Sequence, residues 1–140
     1  FTGLISQEHL FELYCIADIG VLPSLFEPFG YVAVEMMMHS LPVVVTDTTG
    51  LDEIVEDKVT GLKVPLVMSD NINEVDTGML AQKIIFLLQN PGERKKLGHN
   101  GRNRYLEKFT ATIMGSKIED SYEKLFQLIP DKQSQIHSFQ

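Results

Sequence analysis

The run Pro42-Val43-Val44-Val45-Thr46 is rich in β-branched residues and carries no charge. Such runs are typical of a central strand in a parallel sheet, because helices cover both faces of that strand. Two further runs flank it, Asp18–Leu22 and Leu62–Val64, and a proline follows each of them. We predict a strand at all three positions, and the opening Phe1–Ile5 reads as the end of a further strand that runs into a loop.

Helical spacing or a capping residue marks the segments between and after these strands. The predicted helices are His9–Ala17, Gly30–His39, Leu51–Val55, Asp76 or Thr77 to Leu88, Gly92–Tyr105, and Thr110 or Thr112 to Ile129. Strands that alternate with helices predict an α/β fold with a Rossmann-like, doubly wound parallel sheet and a helical C-terminus. The polar residues 130–140 are predicted to fray.

Ligands of doubly wound sheets bind beyond the carboxyl ends of the strands. The loops predicted to leave those ends are Gly3–Ser6, Pro23–Phe29 and Asp47–Gly50. We therefore expect the chemistry of the protein to lie in these three loops.

The composition narrows the class of protein. The chain has 140 residues, with 44% hydrophobic residues, 22% charged residues and a net charge of −7, which is ordinary for one globular domain. The acidic balance argues against nucleic acid as the main partner, since phosphate binding needs a basic surface. One cysteine, Cys15, cannot form an internal disulfide and is predicted to be buried in its helix. A single cysteine without a disulfide partner fits a reducing compartment, so we expect a cytoplasmic location.

The segment from Glu27 to Glu35 carries the strongest chemical signal. Gly30 allows the backbone to approach a ligand at the start of a helix, where free N–H groups attract a phosphate or sugar hydroxyls. Glu35 lies one turn further on and could accept hydrogen bonds from the vicinal diol of a ribose. The alternative is that Glu27 is an ordinary loop carboxylate and Glu35 a solvated helix residue. Against it, an acid between Val34 and three methionines needs a partner or a ligand.

Five blocks of sequence carry a resemblance to a known family: Ile19–Ser24, Glu27-x-Phe29-Gly30 with Glu35, Leu41–Val44, Thr49–Val55 and Thr60–Pro65. Together they resemble the C-terminal, donor-binding domain of the retaining glycosyltransferases of family 4, within the glycosyl transferases group 1, which have the GT-B fold. The resemblance covers residues 1–128. It implies binding of a UDP-, ADP- or GDP-sugar and, with an N-terminal acceptor domain, transfer of a hexose with retention of configuration.

The resemblance also implies roles for individual residues. Glu27, which would be the catalytic acid, Phe29 and Gly30 match the positions that contact the donor sugar. Tyr31 and Val32 match the helix start that approaches the diphosphate, and Glu35 matches the acid that binds the ribose. The base would lie against Gly3, Leu4 and Ile5, while Thr49 and Gly50 would line the donor pocket and Glu53 would have a structural role.

Two departures from the family pattern stand out. Ser40 occupies a position where the family usually has glycine. The paired arginine and lysine that neutralise the donor diphosphate have no counterpart here, because they precede the strand that ends at Phe1–Gly3. We therefore interpret residues 1–129 as a donor-binding domain that lacks its first βα unit of roughly 30 residues.

Several other features have simpler interpretations. Met36, Met37 and Met38 are predicted to fill the core. The four histidines lack metal-ligand spacing, so we expect no metal and no cofactor. Half of the positive charges lie at the positions Arg94, Lys95, Lys96, Arg102, Arg104 and Lys108. They are predicted to form a solvated helix face, with contact to an anionic membrane at its inner face as the alternative.

Three other functions remain open at this point. The chain could belong to a sugar-nucleotide epimerase or a phosphorylase of the same architecture, although no pyridoxal-binding lysine pattern is visible. It could also be a nucleotide-binding or interaction module without turnover.

The helix near 112–128 resembles the segment that returns to the N-terminal domain, and dimerisation through its apolar strip is a further interpretation.

Overall fold

The computed structural model describes residues 1–69 and 72–128. Its elements in chain order are α1 Gln7–Ile16, β1 Gly20–Leu22, α2 Tyr31–Met38, β2 Val43–Thr46, α3 Thr49–Ile54, β3 Gly61–Val64, β4 Leu66–Ser69, β5 Ile72–Val75, α4 Thr77–Gln89, α5 Pro91–Lys108 and α6 Ala111–Leu128. The chain divides into two compact units, Phe1–Glu107 and Lys108–Gln140. The predicted tail 130–140 and its boundary lie outside the described residues.

The first unit is built on a parallel sheet with the strand order β1-β2-β3. Val44 of the central strand packs with Leu62 and Val64 against apolar residues of α4 and α5. Val43 and Val45 point to the opposite face, because side chains alternate along a strand, and they too are fully buried. Both faces are covered, and the predicted parallel α/β fold is confirmed.

Helix α2 contacts β1 and β2 and buries apolar side chains against them. Met36 and Met37 are buried within it, which confirms the interpretation of these two methionines as core, whereas Met38 is half-buried. The helix ends at Met38, and Ser40 two residues later adopts the left-handed region with φ 59°. Gly98 of α5 lies so close that a Cβ there would sit 2.1 Å from the Ser40 carbonyl oxygen.

The prediction that the positive charges of α5 form a solvated face is wrong for two of its arginines. Arg104, with 12% of its side chain exposed, donates to the carbonyls of Ile54 and Glu53 at the end of α3 and pairs with Glu56. Arg94 donates to the carbonyls of Leu87 and Leu88 at the end of α4. Both guanidinium groups cover the negative ends of helices, where backbone carbonyls need donors.

Three further predictions differ from the structure. No strand forms over residues 1–5, since the chain there has no neighbouring strand among the described residues to pair with. Cys15 is exposed, because α1 buries only Tyr14. The hairpin of β4 and β5 was not predicted, and it pairs Leu66 with Val75 in an antiparallel ladder just after Pro65.

The second unit contains α6, whose first turn is capped by Thr110. None of the residues of α6 is buried, and its exposed apolar side chains recur every three or four residues at Met114, Ile118, Tyr122, Leu125 and Phe126. Within residues 1–69 and 72–128, every helix is too short or too polar to cross a membrane.

Candidate functional site

Two loops meet beyond the carboxyl ends of β1 and β2. The first runs from Pro23 to Gly30 and leads into α2, and the second, Asp47–Thr48, leads into α3. The Thr46 hydroxyl at the end of β2 donates a hydrogen bond to the Ser24 carbonyl, which ties the start of the first loop to the neighbouring strand. Two of the three loops in which the sequence predicts the site therefore contact each other at the carboxyl end of the sheet.

Gly30 at the start of α2 can only be glycine. Its φ is +104°, and a Cβ at this position would lie 2.7 Å from Cδ2 of Leu51 in α3. L-residues with side chains avoid this backbone region. The glycine thus turns the chain into α2 and lets the start of that helix pack directly on α3.

Gly50 locks the two loops together through backbone atoms. Its N–H donates a hydrogen bond to the Glu27 carbonyl at 3.1 Å. A Cβ on Gly50 would lie 2.4 Å from that carbonyl oxygen and 2.6 Å from the Phe29 nitrogen. The positions of the Glu27 and Phe29 backbones are consequently fixed by α3.

The start of α2 presents unpaired backbone N–H groups. The first bond of the helical ladder runs from the Val34 N–H to the Gly30 carbonyl at 3.2 Å, and no side chain caps the helix. The N–H groups of Tyr31 and Val32 precede that ladder, and the positive end of the helix dipole lies behind them. The rings of Phe29 and Tyr31 contact at 4.8 Å between centroids. This arrangement can bind an anion.

Glu27 is half-buried in the first loop. Its backbone carbonyl is taken by Gly50, whereas its carboxylate has no hydrogen bond or ion pair to any other described residue. A partly desolvated carboxylate without a protein partner is suited to accept hydrogen bonds from ligand hydroxyls.

Glu35 has the protein partner that its apolar surroundings require. The Tyr14 hydroxyl of α1 donates to Glu35 Oε2 at 3.3 Å. Burial raises the pKa of Tyr14 to about 12, and the negative charge of Glu35 adds to that shift. The phenol therefore stays protonated and remains a donor to the carboxylate at any physiological pH.

A second contact fixes the backbone beneath Glu35. His39, one turn further along α2, lies 2.8 Å from the Glu35 carbonyl oxygen through Nδ1. A carbonyl only accepts, so Nδ1 carries the proton. The His39 ring also contacts the rings of Tyr14 and Phe11, with centroid distances of 5.6 and 5.2 Å.

The second loop carries a buried polar atom and an ion pair. The hydroxyl of Thr48 is buried without a hydrogen-bond partner among the described residues. Lys63, with 11% of its side chain exposed, lies 3.4 Å from Asp47 and also binds Asp52. The hydrogen bond from Lys63, together with its charge, lowers the pKa of Asp52. The ion pairs tie α3 to the edge of β3.

The residues predicted for the base lie in a different setting. Gly3 has φ +64° with no neighbouring atom within 4 Å of an added Cβ. Leu4 is fully exposed, and no hydrogen bond or ring contact joins Gly3, Leu4 or Ile5 to the two loops in the described part of the chain. The structure joins Gly50 to the backbones of Glu27 and Phe29, and Gly30 leads directly into Tyr31 and Val32 at the start of α2. Thr49 precedes Gly50 in α3, and Glu35 lies one turn further along α2, where its carboxylate contacts Tyr14 of α1.

Sequence reasoning missed Tyr14 and Thr48. Tyr14 lies within the predicted helix His9–Ala17 and was given no role, although the need of Glu35 for a partner was a signal that could have led to a search for a donor. Thr48 gave no signal, because its burial depends on the packing of α3 against the first loop.

A profile of the family described as Glycosyl transferases group 1 matches residues 1–104. The chain is 34% identical over 123 residues to an uncharacterized glycosyltransferase of Methanocaldococcus jannaschii, covering 88% of the chain and 30% of that relative. It is 31% identical over 114 residues to the alpha-maltose-1-phosphate synthase of Mycobacterium tuberculosis, covering 81% of the chain and 29% of the relative.

Solved structures agree with these relatives. A sucrose-phosphate synthase from Thermosynechococcus elongatus superposes with a TM-score of 0.78 at 34% identity, over 92% of this chain and 30% of that one. The Anabaena protein HepE in complex with UDP superposes with a TM-score of 0.69 at 23% identity, over 81% of this chain and 29% of that one, and shows the fold alone. The chain spans about 30% of the length of the first two relatives and the synthase structure.

Proposed function

The chain belongs to the glycosyl transferases group 1, with the Rossmann-like fold of GT-B glycosyltransferases, and from that premise we propose that it binds the sugar nucleotide of a retaining hexosyltransferase. The observation that carries the proposal is the backbone lock between Gly50 and Glu27. It holds the Glu27 carboxylate beside the start of α2, where neither the carboxylate nor the N–H groups of Tyr31 and Val32 have a hydrogen-bond partner among the described residues. Such a preorganised pair suits a donor that joins a sugar to a diphosphate.

In this proposal, each feature of the site binds one part of the donor. The Glu27 carboxylate binds hexose hydroxyls, and the N–H groups of Tyr31 and Val32 receive the diphosphate. Glu35 accepts hydrogen bonds from the ribose. Thr49 and Gly50 line the pocket, and Gly3–Ile5 lie against the base. UDP, ADP and GDP are the nucleotides to test first.

Catalysis requires a longer protein in this proposal. The chain spans about 30% of its relatives, and an N-terminal domain would bind the acceptor and close the cleft. That domain, together with an arginine–lysine pair from a preceding βα unit, would complete the diphosphate site. We propose that the apolar stripe of α6 packs against the same domain, with dimerisation of the isolated chain as the competing use of the stripe.

Transfer is proposed to need no divalent metal. The helix dipole at Tyr31 and Val32 and the basic pair would take the charge of the leaving diphosphate, a role that metal ions have in other transferases. The longer enzyme should keep its rate in excess chelator. Activity that is lost in chelator and restored by magnesium or manganese would contradict this proposal.

Calorimetric titration of the 140-residue chain with UDP, ADP and GDP tests donor binding. We expect one of them to bind with a dissociation constant well above micromolar, since two missing charged contacts cost about 1.5–3 kcal/mol each. Donor hydrolysis and transfer by the isolated chain should be undetectable, because positioning of the acceptor supplies much of the acceleration.

Three outcomes would redirect the proposal. Micromolar binding or measurable transfer by the 140-residue chain would show that the site is complete without further protein. Absence of binding at millimolar concentration would favour an interaction module. Epimerised sugar nucleotide as the product of the longer protein would favour the epimerase alternative.

A further inference from the structure

Tyr14 is held in place from both sides of the α1–α2 contact. Its side chain is 6% exposed, and its ring contacts Phe11 on its own helix at 6.2 Å and His39 on α2 at 5.6 Å between centroids. His39 in turn donates to the backbone carbonyl of Glu35 at 2.8 Å. The phenol oxygen thus has little freedom to move relative to the acid that it contacts.

The contact makes the two oxygens of the Glu35 carboxylate differ in their hydrogen bonding. Oε2 accepts the Tyr14 hydroxyl at 3.3 Å, whereas Oε1 has no hydrogen bond or ion pair within the described residues. A glutamate side chain without such a bond samples several rotamers and loses that freedom when it binds a ligand. With Oε2 held, Oε1 remains free for a ligand hydroxyl, and Oε2 keeps one lone pair for a second.

We propose that Tyr14 is a positioning residue that fixes the rotamer of Glu35 so that its carboxylate receives a vicinal diol, and that it thereby contributes to the preference for ribose over deoxyribose nucleotides. This inference rests on the proposed function, in which Glu35 binds the ribose. Tyr14 touches Glu35 and acts on the ligand through it.

The test compares Tyr14→Phe, Glu35→Ala and the double variant with wild type. Tyr14→Phe keeps the ring that packs between α1 and α2 and removes only the hydroxyl. Tyr122→Phe is the matched control, since Tyr122 is 60% exposed on α6. Each protein is titrated by ligand-observed NMR with UDP, ADP and GDP and with their 2′,3′-dideoxy counterparts. Thermal melts check that each variant is folded.

We expect Tyr14→Phe to weaken binding of the ribonucleotide by about threefold to tenfold, because the hydrogen bond that preorganises the acid is lost. Binding of the dideoxynucleotide should not change, and Tyr14→Phe should have no further effect in the Glu35→Ala background. Tyr122→Phe should match wild type with both ligands.

The possible failures are distinguishable. If Glu35→Ala weakens ribonucleotide binding and Tyr14→Phe does not, the positioning role is wrong and the ribose role of Glu35 stands. If Tyr14→Phe weakens ribo- and dideoxynucleotides equally, the residue supports the fold alone and the inference is overturned. If Glu35→Ala has no effect, or no nucleotide binds, the proposed function fails and this inference fails with it.

Discussion

The loop Glu27–Gly30 and the segment Gly3–Ile5 were assigned to the same ligand by sequence, yet the structure holds them very differently. Gly50 and Leu51 of α3 press directly on the first loop. The second segment is exposed at Leu4 and has open space around Gly3. The region proposed for sugar and diphosphate is therefore preformed within this chain, whereas the segment proposed for the base has no comparable support among the described residues.

The largest expected difference between the two regions comes from adding one methyl group to each. Gly50→Ala should destabilise the fold by about 3 kcal/mol and abolish nucleotide binding, because its Cβ collides with backbone atoms that cannot move alone. Gly3→Ala should cost about 1 kcal/mol, the strain of a left-handed residue in open space. Urea unfolding of both variants measures the contrast, and equal losses would mean that the first loop is not rigid.

Glu35→Ala in the longer enzyme tests the proposed ribose contact, one helical turn beyond the preformed loop. We expect the donor KM to rise by about tenfold to a hundredfold with a smaller fall in kcat, since hydrogen bonds to ribose act in both ground and transition states. Glu12→Ala, an exposed acid on α1, serves as the control and should leave both constants unchanged. A collapse of kcat with an unchanged KM would place Glu35 in the chemical step.

Alkaline pH should weaken the preformed region through Tyr14. Its pKa is raised from 10.0 to about 12 in the folded chain, so the unfolded chain releases this proton first. The contribution of Tyr14 to the free energy of unfolding is fully present below pH 10 and is lost as the pH rises to about 12. The free energy of unfolding, measured in urea between pH 10 and 12, should fall more steeply for wild type and Tyr122→Phe than for Tyr14→Phe. Equal pH dependence in all three proteins would contradict the burial of the phenol.

The smallest expected effect concerns the far end of α2. Ser40 has φ 59°, and glycine adopts this conformation without the strain of a side chain. Ser40→Gly should stabilise the chain by about 0.5–1 kcal/mol, because relief of strain outweighs the added entropy of the unfolded state. Ser121→Gly, inside α6, should instead destabilise by roughly 0.5 kcal/mol. Thermal melts distinguish the two directions, and a loss of stability at Ser40 would show that its side chain contributes to packing.

The sequence alone predicted the sheet well, because its signals are local. The apolar run at 42–46 and the start of a helix at Asp76 are each specified by neighbouring residues, and the structure has β2 and α4 there. The hairpin after Pro65 was missed since neither of its strands, Leu66–Ser69 and Ile72–Val75, has a buried residue. A pattern of apolar residues in the sequence predicts strands that are buried, so it does not detect exposed strands such as these.

For the site, the sequence predicted which loops would meet but could not predict what holds them. The positive φ of Gly30 and the close approach of Gly50 to Glu27 depend on the way α3 packs, which joins residues over twenty positions apart. The same holds for Arg104, whose acceptors at Glu53 and Ile54 lie about fifty residues away. Charge patterning along α5 predicted solvent for that arginine, since the acceptors are backbone carbonyls that leave no trace in the sequence.

The bond between the Gly50 amide and the Glu27 carbonyl has a consequence for how this site can change during evolution. Both partners are backbone atoms, so the loop keeps its course whichever side chains its other positions carry. Phe26 and Pro28 are exposed on that loop, which leaves them open to replacement. A lineage, or a designed library, can therefore vary these two positions while Gly30 and Gly50 preserve the architecture beneath them.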